Sequence, residues 1–200
     1  GAIVEPDAAI ITSVAEGPLE GLRGVEGVLT EKTSLLEALR PGGVALVADE
    51  PPELAARARA LVPQVRVAGW TERADADLRA EDVRLDDEGR TRFRWQGREV
   101  RLRFRGKPNA RNALLALGLA QEWGVEPDAA IRALEALEPP KLRAELHRYG
   151  DLVVIADCYN ANPASTAAAL ELLESMPRRG GRVAVLGTMR ELGEASAQLH

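Results

Sequence analysis

The chain has 200 residues, of which 46% are hydrophobic and 28% charged, a balance typical of a folded globular protein rather than a disordered one. Its net charge of −5 at pH 7 argues against a nucleic-acid-binding protein, which usually presents a basic face. A single cysteine, Cys158, excludes an internal disulfide and indicates a reducing compartment. No apolar run reaches the roughly 20 residues that cross a bilayer. We therefore expect a cytoplasmic protein with no membrane or nucleic-acid partner.

The first 70 residues alternate short apolar runs with helical patterns. Apolar runs predict strands at 8–12, 44–48 and 65–68, and the spacing of apolar residues predicts helices at 25–39 and 53–61. Strands that are apolar throughout and are separated by helices are typical of a parallel α/β sheet.

The middle of the chain changes character. Polar and apolar residues alternate at 82–85, 92–95 and 99–104, and the turns between them predict an antiparallel meander. Many arginines lie on it, but acidic residues are interspersed, so we interpret the polar face as a solvated surface rather than an RNA-binding one. Helices are predicted at 109–123 and 126–137.

The best candidate for a linker follows these helices. Pro139 and Pro140 break the chain before 141–145. The sequence therefore predicts two domains, 1–140 and 141–200.

The second domain contains two polar loops that follow apolar runs. A strand is predicted at 152–156 and another at 182–186, with a helix at 166–175 between them. The run from Asp157 to Ser165 follows the first strand, and Gly187 to Glu194 follows the second. Because the carboxyl ends of parallel strands meet at one edge of a sheet, we expect both loops on one ligand-binding face.

These loops resemble the Mur ligase family. Tyr159-Asn160-Ala161-Asn162-Pro163 is similar to the signature of the members that join D-alanyl-D-alanine to UDP-N-acetylmuramoyl-tripeptide, and Leu186 to Glu194 resembles their Leu-Gly-Asp-Met-Xaa-Glu-Leu-Gly segment. The resemblance spans essentially the whole chain. It implies the later part of a central ATPase domain, followed by the first part of a Rossmann-like C-terminal domain.

The resemblance also implies the chemistry. Such a protein is an ATP-dependent ligase of peptidoglycan synthesis that forms an amide through an acyl phosphate. It implies ATP and Mg²⁺ as cofactors, UDP-N-acetylmuramoyl-tripeptide and D-alanyl-D-alanine as partners, and a monomer.

Three residues of the first domain match functional residues of the family. Lys32 matches the lysine that is carbamylated in these ligases and helps to hold a second magnesium ion; by itself it is a solvated helix lysine. Asn109 and Asn112 match asparagines near the adenine of ATP. A helix N-cap is an alternative for Asn109.

The linker and the second domain supply the remaining nucleotide-binding candidates. Arg143 matches an arginine that contacts the nucleotide from the linker, a role that suits a planar, permanently charged guanidinium. Asp157 matches a carboxylate that reaches the ribose hydroxyls or supports the nucleotide. A surface ion pair is the alternative for both. In the second domain, the resemblance assigns nucleotide binding to four residues: Asp157, Tyr159, Asn160 and Asn162.

The chain departs from the family pattern between Ile11 and Gly21 and at the start of the helix at 109–123. Ser13 replaces an Asn, and Pro18 and Pro108 replace histidines, one of them at a magnesium-ligand position. Proline cannot bind a metal. This leaves Glu20, Glu16 or water to supply oxygen ligands to Mg²⁺.

Two alternatives to this ligase stay open. One is another amide ligase of the superfamily, such as a folylpolyglutamate synthase or a different Mur enzyme, against which the run Tyr159 to Pro163 argues. The other is a non-catalytic Mur-like binding protein, which Pro18 and Pro108 favour.

We expect the 200 residues alone to show no ligase turnover. No Gly-Xaa-Xaa-Xaa-Xaa-Gly-Lys-Ser/Thr loop occurs in them, so the phosphates of ATP lack a backbone cradle. Phosphate release and amide product, measured together, test this. ATP hydrolysis coupled to amide formation by these residues would contradict it.

Overall fold

The computed structural model describes residues 5–14, 24–70, 76–177, 180–190, 192 and 196–200. It is an α/β protein with one parallel and two antiparallel sheets, which confirms the predicted fold class. Within the described residues, no helix is both long and apolar enough to span a membrane.

A parallel sheet with the strand order β1-β2-β3-β4 forms the first layer. The strands are β1 Ala8–Ile11, β2 Val44–Ala48, β3 Val65–Gly69 and β4 Leu78–Arg79. All five residues of β2 are buried, because helices cover both faces of the sheet, and this explains its uninterrupted apolar sequence. The strand β4 was not predicted, since two residues are too few to form a pattern.

The helices that precede and follow β2 lie on one face of this sheet. They are α1 Gly24–Thr33, a 3-10 helix Ser34–Ala38, and α2 Pro52–Leu61. The α-helix ends earlier than the predicted 25–39. The hydroxyls of Thr33 and Ser34 donate to the carbonyls of Leu29 and Glu31, each at 2.7 Å. Such bonds compete with the α-helical ladder and favour a tighter turn.

The predicted antiparallel meander is confirmed. Its strands are β5 Glu81–Leu85, β6 Arg90–Trp95 and β7 Arg98–Arg105, and two helices follow, α3 Pro108–Glu122 and α4 Pro127–Ala136. The helix α3 packs between the parallel sheet and the meander, where its leucines meet Leu46 on one side and Phe93 and Val100 on the other. The helix that carries Asn109 and Asn112 is thus part of the main core.

Most arginines of the meander form ion pairs, whereas Arg94 donates to the Gly97 carbonyl. The ion pairs are Arg90–Glu88, Arg92–Asp86, Arg98–Asp128, Arg101–Glu99 and Arg103–Glu138. Because carboxylates neutralise these arginines, the polar face of the meander is interpreted as a solvated surface rather than an RNA-binding one.

In its described residues, the second unit has an antiparallel hairpin and two helices: β8 Glu145–Tyr149, β9 Leu152–Ala156, α5 Pro163–Ser175 and α6 Ser196–Leu199. The predicted strand at 182–186 is wrong: these residues pair with no strand of the described chain, and Val183 and Val185 are 81% and 94% exposed. An apolar run forms a strand only where a neighbouring strand satisfies its backbone. The expectation that the Asp157 and Gly187 loops share the edge of a parallel sheet is wrong for the same reason.

The helix α5 packs on the turn between β5 and β6. The Asp86 carboxylate accepts the backbone N–H groups of Glu88 and Arg90 at 3.0 and 2.9 Å and so orders the turn. Burial alone would raise the pKa of Asp86, but its hydrogen bonds hold that pKa below the ordinary value. Buried side chains of α5, Leu172 and Met176, cover the tip of the turn at Gly89. This contact holds the second unit against the first.

Gly89→Ala should loosen this contact. A Cβ at residue 89 would lie 2.5 Å from Leu172 Cδ1 and 3.0 Å from Met176 Sδ. We expect the free energy of unfolding, measured in urea, to fall by about 1–3 kcal/mol more than in the control, as overpacking usually costs.

The matched control is Gly97→Ala. Gly97 also lies in a meander turn with a positive φ of 75°, but a Cβ there would meet nothing within 4 Å. Both variants share the backbone strain, so only Gly89→Ala adds the clash. Equal losses in the two variants would contradict the role of Gly89 in docking α5.

Candidate functional site

An apolar cleft of about 170 Å³ lies between β7, α3 and α4. Two of the predicted site residues, Asn109 and Asn112, line it together. Its apolar walls are Leu102, Phe104, Ala113, Leu134 and Leu137. An apolar slot with a few amide groups suits a flat, nitrogen-rich ring, because an amide both donates and accepts hydrogen bonds.

The side chain of Asn109 is held in place. Its Nδ2 donates to the carbonyl of Arg105 at 2.7 Å and to that of Gly106 at 3.3 Å. The Gly106 carbonyl is also held by the buried Thr91 hydroxyl at 2.7 Å. Asn109 is not a helix N-cap, because α3 begins at Pro108 and the amide donates rather than accepts. With Nδ2 engaged in this way, Oδ1 is the side-chain atom of Asn109 that can accept a hydrogen bond from a ligand.

Sequence reasoning missed an arginine that anchors α3. Arg111 forms ion pairs with Asp49 at 3.1 Å and with Glu50 at 2.6 Å, and its guanidinium lies 4.6 Å from the centre of the Trp70 ring. The two carboxylates directly follow β2, and Trp70 directly follows β3. Arg111 therefore ties the helix of Asn109 to the carboxyl edge of the sheet. Charged residues immediately after a buried strand were the signal in the sequence.

The linker before β8 is bonded to the polar run that follows β9. The Ala144 N–H donates to Asp157 Oδ1 at 3.2 Å, and the Leu142 carbonyl accepts the N–H of Tyr159 at 3.2 Å. Leu142 and Ala144 have left-handed φ angles of 60° and 50°, a strain that these bonds maintain. The guanidinium of Arg143 lies 4.4 Å from the centre of the Tyr159 ring.

Three predicted site residues, Arg143, Asp157 and Tyr159, are thus brought together. The alternative of a surface ion pair does not describe them. Arg143 stacks on an aromatic ring, and Asp157 accepts a backbone N–H. A stacked guanidinium keeps its N–H edges available for oxygen acceptors.

The two asparagines of this run use their oxygens locally. Asn162 caps α5: its Oδ1 accepts the Ser165 N–H at 2.8 Å, and its own N–H donates to Ser165 Oγ at 3.0 Å. This capping box fixes the start of the helix. Asn160 Oδ1 accepts the N–H of Ala161 at 2.9 Å. The side-chain NH₂ groups are what Asn160 and Asn162 can offer a ligand.

The second predicted loop lies beside the first, although no parallel strand brings it there. Met189 is buried, and its sulfur lies 3.6 Å from Oγ1 of Thr166, in the first turns of α5. Glu191, Gly193 and Glu194 lie outside the described residues.

Lys32 lies in the last turn of α1 and donates from Nζ to the Ser13 carbonyl at 2.7 Å. The residue as a whole is exposed, yet partial burial of its amine lowers the pKa of Lys32. A lower pKa raises the share of neutral amine at a given pH. Ser13 follows β1, so the amine lies at the carboxyl edge of the sheet.

The predicted metal ligand cannot be placed. Glu20, with Glu16 and Pro18, lies in 15–23, outside the described residues. Among the described residues, no group of three or more His, Cys, Asp or Glu side chains is arranged to hold a metal ion.

A larger cavity of about 350 Å³ lies between α5 and the meander. Its wall includes Lys107, Glu171, Glu174 and Ser175, but none of the predicted nucleotide residues. The smaller cleft is therefore the candidate nucleotide site.

Known proteins match both units. Residues 1–120 match the family model of the Mur ligase middle domain, and residues 142–200 match that of the Mur ligase glutamate ligase domain. The UDP-N-acetylmuramoyl-tripeptide--D-alanyl-D-alanine ligase of Bacillus subtilis (strain 168) is 32% identical over 201 residues, which cover 99% of this chain and 43% of that protein. The ligase of the same name from Mycobacterium bovis is 34% identical over 209 residues, covering 99% of this chain and 40% of that protein. The chain thus spans less than half the length of these relatives.

Solved structures share the fold. MurF from Acinetobacter baumannii matches with a TM-score of 0.84 at 28% identity, over 98% of this chain and 43% of that chain. The MurF ligase from Thermotoga maritima, solved in complex with ADP, matches with a TM-score of 0.83 at 22% identity, over 98% of this chain and 45% of that chain. From the family models and the sequence identity to curated relatives, this chain belongs to the Mur ligase family.

Proposed function

We propose that this chain is part of an ATP-dependent ligase that joins D-alanyl-D-alanine to UDP-N-acetylmuramoyl-tripeptide. The observation that carries the proposal is the apolar cleft lined by Asn109 and Asn112, the residues that the family resemblance assigns to adenine. Relatives about one-third identical over the whole chain bear the name of this ligase.

In the proposed reaction, ATP supplies the phosphoryl group that turns the tripeptide carboxylate into a good acyl donor. The amine of D-alanyl-D-alanine attacks the acyl carbon. The bond between that carbon and the phosphate oxygen then breaks, phosphate leaves, and the nitrogen loses a proton to give the amide. Such chemistry depends chiefly on positioning and on stabilising charge. Because the reaction consumes ATP, we propose that the protein acts in the cytoplasm. We also propose that it acts as a monomer.

The first unit binds the base in this proposal. The walls of the cleft, including Phe104 and Leu134, cover the faces of the ring, while Asn109 and Asn112 bond its edge. Asn109 is already oriented by two backbone carbonyls, so it loses little freedom when a ligand binds. Because a ring in the cleft would shield these amides from water, an amide left without its partner would be costly, which favours an adenine over a ring without matching groups.

The linker and second unit contact the rest of the nucleotide. Arg143 is held over Tyr159, where its N–H groups can fork onto phosphate or ribose oxygens. Asp157 supports the linker and faces the ribose hydroxyls in this proposal, and Asn160 and Asn162 donate from their NH₂ groups. Closure of this unit over the cleft would complete the site. We also propose that the domains divide at 140/141, between α4 and β8.

The described residues do not fit a magnesium site as they stand. Lys32 carries an ammonium that donates to Ser13, and an ammonium cannot bind a cation. A carbamate on Lys32 would present oxygens, which Mg²⁺ prefers. Carbamylation of Lys32 and metal binding by Glu20 therefore stay proposals that rest on the resemblance.

Removing either cleft amide should weaken nucleotide binding. We expect Asn109→Ala and Asn112→Ala each to raise the Kd for ADP about tenfold, because each leaves a polar edge of the base without its partner. Isothermal titration calorimetry measures the Kd. An unchanged Kd for ADP in both variants would contradict the assignment of the cleft to the base.

The matched control for these variants is Gln121→Ala. Gln121 carries an amide on the same helix and is exposed, as Asn112 is, but it does not line the cleft and bonds Gln96 instead. Its loss should leave the Kd unchanged. A similar weakening in the control would show that the asparagines act through helix stability instead.

Lys32 should form a carbamate more readily than the other lysines. The chain has three, Lys32, Lys107 and Lys141. Because burial lowers the pKa of Lys32, its amine is neutral at a lower pH, and only the neutral amine adds carbon dioxide. When the pH is raised in the presence of ¹³C-bicarbonate, the NMR signal of a carbamate on Lys32 should appear at a lower pH than the signals of carbamates on Lys107 and Lys141. It should vanish in Lys32→Arg and persist in Lys107→Arg and Lys141→Arg; a signal that survives Lys32→Arg unchanged would contradict this.

A further inference from the structure

The guanidinium of Arg105 bridges the two units. Arg105 ends β7, and its side chain is only 12% exposed. Its Nε donates to the Glu88 carbonyl in the meander turn at 2.8 Å, and its Nη1 donates to the Ala144 carbonyl in the linker at 3.2 Å. One planar group therefore fixes the distance between the turn and the linker.

The backbone of the same residue belongs to the cleft. The Arg105 carbonyl accepts Nδ2 of Asn109 at 2.7 Å. On the other side, the N–H of Ala144 is held by Asp157 at 3.2 Å. Ala144 is thus held both at its N–H and at its carbonyl. The residue that precedes it is Arg143.

Charge supports this bridge. The Glu88 carboxylate lies 4.0 Å from Arg105 and 3.9 Å from Arg148 of β8, and it also pairs with Arg90. Glu88 therefore gathers cations from both units. Burial and the neighbouring Arg90 lower the pKa of Arg105, but a guanidinium stays protonated at any physiological pH.

We propose that Arg105 is a positioning residue of the nucleotide site, which sets the place of Arg143 relative to Asn109. The inference rests on the proposed function. It requires an arginine, because a rigid fork holds two carbonyls in fixed geometry, whereas the single ammonium of a lysine cannot. Arg105 touches no part of the nucleotide and acts through the linker.

The first test needs no nucleotide. Because Arg143 and Tyr159 are stacked, we expect the ring current of Tyr159 to shift the side-chain protons of Arg143 in the NMR spectrum of the wild-type chain. Arg105→Gln should move these signals toward their unstacked positions, and Arg105→Lys should do the same. Arg101→Gln, which removes an exposed charge from the same strand, should not. Signals of Arg143 that stay at wild-type positions in both Arg105 variants would overturn the inference.

The second test is a double-mutant cycle on ADP affinity. Arg105→Gln should raise the Kd roughly five- to tenfold, the size of a coupling between residues in one network. In an Arg143→Gln background, the same change should alter the Kd less than about twofold, because Arg105 acts through Arg143. An equal effect in both backgrounds would mean that Arg105 matters only for stability, and would overturn the inference.

The two tests separate the inference from the proposed function. If neither cleft variant changes the Kd for ADP, the assignment of the cleft to the base fails, whereas the Arg143 signals still decide whether Arg105 positions the linker. If ADP binds and the Arg143 signals do not respond to Arg105, the inference fails and the proposed function stands.

Discussion

The linker between the two units is clamped at Ala144, and the rest of the candidate site depends on that clamp. The N–H of Ala144 is bonded to Asp157, and its carbonyl is bonded to Arg105. These bonds hold a left-handed backbone that a non-glycine residue seldom adopts. They also determine where Arg143 lies on Tyr159. A short segment without regular structure thereby acquires a defined geometry between two packed units.

The cleft and the linker differ in how firmly they are held. The cleft belongs to the main core, since α3 packs between two sheets and is tied to the parallel sheet through Arg111. The second unit contacts the first at Gly89, at the arginines around Glu88, and through the hydrogen bond from Arg105 to the Ala144 carbonyl. A firmly held cleft beside a less firmly held unit fits the proposed closure of the second unit over a nucleotide.

Much of the fold could be predicted because its cause is local. The strand β2 is buried on both faces, and its sequence is therefore an uninterrupted apolar run. The meander has one solvent-exposed face, and polar and apolar residues therefore alternate along its strands. The cleft could not be predicted by pattern alone, since Phe104 and Leu134 look like ordinary core positions until β7 and α4 are placed together. Arg105 looked like one more solvated arginine because its partners lie 17 and 39 residues away. The strand predicted at 182–186 is wrong because an apolar run indicates that a segment tends to be buried. It does not show that a neighbouring strand is there to pair with it.

The central claim is that the cleft between β7, α3 and α4 receives the base of an adenine nucleotide. Titration of ADP into the isotopically labelled chain, followed by NMR, tests it most directly. The account predicts that the side-chain amide signals of Asn109 and Asn112 and the ring signals of Phe104 move together and saturate. Movement confined to the larger cavity, at Lys107, Glu171 and Ser175, with the cleft signals unchanged at saturation, would contradict it.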